Sequence, residues 1–149
     1  MNIGDICSRA VVSVRSNEPV HRAAELMRQY HVGSLVVTDG PNHSQQPLGM
    51  VTDRDIVIEI VAKNVDPGTL TVGDVMSADQ LIAEETDELD EDLEDMRAEG
   101  VRRIPVVDEE GMLVGVFALD DLLQLMATQL DLVAGIVGAL RVEENRMRA

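Results

Sequence analysis

Thr52 and Asp55 stand three residues apart in "GMVTDRD", where an apolar run that reads as a strand gives way to the start of a helix. A hydroxyl and a carboxylate so placed can do two things. They can close a capping box, each satisfying a backbone amide at the helix start. They can instead turn outward. An ionised carboxylate accepts from two donors at once, as a ribose diol presents them, and the hydroxyl lies beside helix amides that suit a phosphate. Arg102 and Arg103, adjacent in "GVRRIPVVD", bear on the choice. Paired guanidiniums offer several fixed donors and keep their charge, which suits a phosphate. Their plainer role is a pair of surface salt bridges to the acidic helix expected in Glu84 to Gly100, worth about 0–1 kcal/mol each.

Other reactive residues are poorly placed for catalysis. Cys7 is the only cysteine, so no intramolecular disulfide can form, and its neighbours Ser8 and Arg9 supply no base. His21, His31 and His43 are widely spaced and show no ligand pattern. The acids of "EETDELDEDLEDMRAEG" crowd the start and outer face of an expected helix, where they favour its dipole and solubility. No nucleophile–base–orienter set gathers, so neither an enzyme nor a metal site is expected.

The formal charge of −16 opposes binding to nucleic acid or to anionic membranes. One Tyr, one Phe and no Trp leave no platform for stacking bases. With 45% hydrophobic residues, the 149-residue chain can still bury an aliphatic core. No basic start precedes an apolar stretch, so no signal peptide is expected. The longest apolar run, Leu132 to Leu140, is far short of a membrane span. A soluble protein of the reducing cytoplasm is the expectation.

The elements that must position these residues occur twice. "DICS" (Asp5 to Ser8) aligns with "DVMS" (Asp74 to Ser77) at an offset of 69, as do Met27 with Met96 and Asp39 with Asp108. Beyond Asp39 the offset becomes 66, matching Gly49 with Gly115 and Asp55 with Asp121. The loss falls in "GPNHSQQPL", which reads as a surface turn. Each copy reads strand, helix, strand, strand, helix. The opening strands are expected at Ala10 to Val14 and at Gln80 to Ala83, and "NVDPG" stops the first closing helix. Lone units of roughly 70 residues have marginal cores. Two of them packed sheet against sheet around a pseudo-two-fold axis would form two equivalent grooves.

Taken together, "DVMS", "GVRRIPVVDEEGMLVGV" and "GMVTDRD" in a duplicated chain resemble the tandem cystathionine-β-synthase (CBS) domain pair, or Bateman module, from about Ile3 to Met126. The resemblance implies an α/β fold of two β-α-β-β-α repeats. We assign residues 1–66 and 67–128 to the repeats and 129–149 to a C-terminal helical extension. It also implies an adenosine ligand between the repeats: AMP, ADP or ATP, with S-adenosylmethionine and NAD as further candidates, and no required cofactor. Asp55 would then hold the ribose and Thr52 approach the phosphate. Arg102 and Arg103, brought across by the symmetry, would bind the phosphate, with Arg54 facing the same groove. Adenine would lie against Ser8 to Val12, with Ile104 and Pro105 nearby. The second groove keeps Asp121 but has Ala118 in place of the threonine, and would receive only Gly33 and Ser34.

The tail holds a long apolar face through Leu122, Met126, Val133, Ile136, Val137 and Leu140. It can pack on its own domain or serve as an oligomer surface, and Gly135 and Gly138 would let another helix approach. Such modules pair, so a homodimer is expected. The whole reads as a stand-alone sensory module with an unknown downstream protein partner. The competing reading is a ligand-free dimeric interaction scaffold in which Thr52 and Asp55 only cap a helix.

Overall fold

The structure, a computed structural model, describes residues 1–39, 45–78 and 80–149. Most of the loop expected to absorb the length difference between the copies, with His43, lies outside the described residues.

The first copy holds β1 (Ser13–Arg15), α1 (Val20–Tyr30), β2 (Ser34–Thr38), β3 (Pro47–Thr52) and α2 (Asp53–Ile56). A π-helical turn, Val57–Val61, continues α2, and α3 (Val72–Val75) follows. The second copy holds β4 (Ala83–Glu84), α4 (Leu89–Glu99), β5 (Arg103–Val107), β6 (Leu113–Ala118) and α5 (Leu119–Arg148). Each copy forms one three-stranded sheet, β1-β2-β3 or β4-β5-β6, with a parallel first pair and an antiparallel second pair.

Both opening strands are shorter than the apolar runs suggested. β1 pairs with β2 only from Ser13, although Val36 N–H still donates to the Val12 carbonyl. β4 is shorter again, pairing through Ala83 and Glu84 alone. The physical reason is Pro105, which stands where the first copy has Val36 and has no N–H to donate.

Strand alternation sorts the side chains of each sheet onto two faces. Leu35 and Val37 of β2 join Val20, Ala23 and Met27 of α1 in one core. Ile104 and Val106 of β5 join Leu89, Met96 and the single Phe117 in the other. α1 ends on His31 in the left-handed region (φ 54°), and α4 ends on Gly100 (φ 68°) at the matching position.

Each core is completed by a segment from the other copy. Ile3, in a 3-10 turn spanning Ile3–Asp5, is fully buried in the second core, whereas Val72 and Val75 of α3 are buried in the first. The chain then crosses to the opposite sheet at symmetric points. Ser8 and Val116 exchange both backbone hydrogen bonds, and so do Ser77 and Met50. Gly49 and Gly115 make these crossings fit. A Cβ on Gly49 would lie 2.1 Å from the Ser77 carbonyl oxygen, and one on Gly115 2.6 Å from Cys7 Sγ.

Candidate functional site

Thr52 ends β3 and caps α2. Its Oγ1 accepts from the Asp55 N–H at 3.1 Å, while Asp55 Oδ2 accepts from the Thr52 N–H at 2.9 Å. The capping box is therefore formed. Both residues also line a groove of about 290 Å³ together with Arg102 and Arg103 of the second copy. The arginine pair of one repeat thus borders the same groove as the hydroxyl and acid of the other.

The arginines do not pair with the acidic helix α4. Arg102 Nη2 lies 2.6 Å from Asp120 Oδ1, and Arg103 Nη2 lies 3.4 Å from Asp120 Oδ2. Asp120 is the second residue of α5, and its position in the first copy is held by Arg54. Sequence reasoning missed Asp120, although that exchange was a usable signal: an acid appears in the copy that carries the arginines. It also missed Gln80, which lines this groove and whose Oε1 is buried with no hydrogen-bond partner among the described residues.

A second groove, also about 290 Å³, contains Asp121, Ala118, Ser34 and His31. Several expected positions change here. Ser8 and Val12 line this groove and not the one with Thr52, because the segment ahead of β1 crosses to β6. From the corresponding segment, Ser77 and Gln80 line the groove with Thr52. Arg103 and Ser34 line both grooves, so the second receives a guanidinium as well as Gly33 and Ser34. Ile104 and Pro105 line neither: Ile104 points into the second core, and Pro105 is fully buried. Arg54 is exposed and lines neither groove, since the helix turn carries position 54 away from its neighbours 52 and 55.

Ala118 gives α5 no side-chain cap, so the hydroxyl of the first groove has no counterpart in the second. Cys7 is half-buried against Gly115, and burial pushes its thiol above the ordinary value, the reverse of an activated nucleophile. Among the described residues, no three His, Cys, Asp or Glu side chains converge as a metal-binding group.

The CBS domain model matches the chain twice, at residues 3–62 and 72–128. The chain belongs to the CBS domain family. An uncharacterised protein of Methanopyrus kandleri is 32% identical over 125 residues, covering 84% of this chain and 62% of its own length. An inosine-5′-monophosphate dehydrogenase of Methanocaldococcus jannaschii is 32% identical over 120 residues, which are 80% of this chain and only 22% of that enzyme. The CBS pair therefore spans less than two thirds of either relative. Among solved structures, a CBS domain protein of Pyrobaculum aerophilum complexed with AMP superposes with a TM-score of 0.75 at 26% identity, covering 90% of this chain and 99% of that one.

Proposed function

We propose that this CBS pair is a cytoplasmic regulatory module that binds an adenosine nucleotide of the AMP, ADP or ATP type in the Thr52 groove. One observation carries the reading: Thr52 and Asp55 of the first repeat share a crevice with Arg102 and Arg103 of the second. Asp55 takes the ribose hydroxyls, Thr52 releases its cap to the phosphate, and the arginines bind the phosphate charge. Gln80, with a buried amide oxygen that lacks a partner among the described residues, reads the base edge. The Pyrobaculum aerophilum neighbour complexed with AMP supports this ligand class.

Signalling follows from Asp120. A phosphate that binds the two guanidiniums competes with the Asp120 carboxylate and frees the first turn of α5 from β5. Ligand and helix are thereby linked, and a homodimer or a downstream protein senses the change.

A second reading, a dimeric interaction scaffold without ligand, is favoured by one fact. Thr52, Asp55 and both arginines already satisfy one another or Asp120. Thermal-shift measurement with AMP, ADP, ATP, S-adenosylmethionine and NAD separates the two. A ligand at 100 times its Kd stabilises the fold by about 2.7 kcal/mol. No shift with any of the five leaves the scaffold standing.

A further inference from the structure

Past Leu122, α5 leaves its own domain: ten large apolar side chains from Leu123 to Met147 are exposed. They are ordered. Leu123, Leu130 and Val137 recur every seven residues, and Met126, Val133 and Leu140 repeat the same period three residues further on. Leu119 and Met147 extend the second row, and Glu144, which continues the first, is the only charge in either. The two rows are apolar together from Leu119 to Leu140, about three heptads, and have the spacing of a coiled-coil seam. Ala127 and Ala134 flank the seam, whereas Gln124, Asp131 and Asn145 lie on the far side.

We propose that α5 pairs with α5 of a second copy of this chain, antiparallel, with Leu130 packed beside the partner's Val133. Charge sets the direction. The flank of the seam begins with Asp120 and ends with Arg141 and Arg148. The antiparallel register places Asp120, which also holds Arg102 and Arg103 of its own chain, beside the partner's Arg141, and Glu144 beside the partner's Leu119 at the edge of the seam. A parallel register stacks Glu144 on the partner's Glu144 and sets two acidic bodies side by side. The antiparallel register holds those bodies about 37 Å apart along the helix, several Debye lengths at physiological salt.

By length and composition α5 could also cross a membrane. Asp131 decides against that use. It falls in the middle of the apolar stretch, where a charge costs about 2.5–3.5 kcal/mol in lipid, but it stays in water outside the seam. Leu132 and Val142 remain wet in the paired helix, as isolated surface apolar residues do.

This inference rests on the dimer part of the proposed function and not on ligand binding, because no residue of the seam lines either groove. Sedimentation equilibrium of the full chain without detergent is expected to give twice the chain mass. Leu130→Lys with Val133→Lys is expected to halve that mass, while Thr128→Lys on the outer face leaves it unchanged. These positions are exposed, so the melting of the CBS repeats reports that the body stays folded. A lysine variant that stays dimeric overturns the seam but not the dimer, and a monomeric wild type overturns both. Flotation of the wild type with phosphatidylcholine vesicles makes α5 a membrane helix and overturns the pairing. For direction, Leu123→Cys and Leu140→Cys are combined in a Cys7→Ala background. Oxidation is expected to join chains only in the double variant. Joining by Leu123→Cys alone overturns the antiparallel arrangement.

Discussion

Asp120 bonds to both guanidiniums of the Arg102–Arg103 pair at the groove wall, so a phosphate arriving there meets a competing carboxylate. All three side chains are exposed, and such pairs are worth about 0.2–1 kcal/mol. Removing the competing charge should then raise phosphate affinity by about two- to fivefold. Asp120→Asn is expected to tighten AMP and ATP by that factor and to leave adenosine unchanged, as titration calorimetry would read. Weaker AMP binding in that variant would make Asp120 a support of the site and not its competitor. At this scale the residue types were legible in the sequence, but their pairing was not. Thr52 and Asp55 are three residues apart and could be read together, whereas Arg102 and Asp120 are joined by the β5–β6 hairpin.

Among the elements, α4 buries a carboxylate where α1 buries an alanine. Asp92 occupies the place of Ala23, and its Oδ2 is buried without a partner among the described residues. Burial first, then the nearby charges of Asp87, Asp95 and Glu91, push its carboxyl up from 3.8 to about 6. A carboxyl whose folded pKa is raised binds its proton more tightly in the folded state. Its effect on stability is therefore neutral below 3.8, and it destabilises increasingly as pH climbs from 3.8 through about 6. Asp92→Ala, which restores the first repeat's residue, is expected to stabilise the fold at pH 7 by about 1 kcal/mol after allowance for solvent screening. Urea unfolding at pH 7 and at pH 4 checks this, because the charge-related gain should be largely absent at the lower pH. In sequence, Asp92 was one acid in a run of acids on a solvated helix face. Only the packing of α4 on its sheet turned that position inward.

The molecule as a whole is an exchange of parts between two copies. Ile3 fills the second core although it belongs to the leading segment of the first copy, and α3 does the reverse. Residues this close to a chain terminus are commonly disordered. Ile3 is fully buried and held by backbone hydrogen bonds from Ile3 and Gly4 to Asp87 and Glu85. Ile3→Ala is therefore expected to cost about 2–5 kcal/mol, the range for a large-to-small change in a core. Chemical denaturation measures it, and a loss below about 0.5 kcal/mol, the scale of a surface substitution, would mean the segment is not part of the core. The exchange also explains why each groove takes one wall from each repeat.

The sequence by itself determined the duplication, the order of elements, the apolar faces and the chemistry available at Thr52, Asp55, Arg102 and Arg103. These follow from periodicity and from short spacings, which local backbone geometry converts directly into shared faces. Tertiary structure alone decided which groove each residue entered. Ser8 and Val12 moved to the second groove because the chain ahead of β1 pairs with β6, a contact between residues more than a hundred positions apart. Arg103 and its counterpart Ser34 came to border both grooves, one from each sheet. No local pattern encodes a crossing of that kind, since it exists only once both cores have closed.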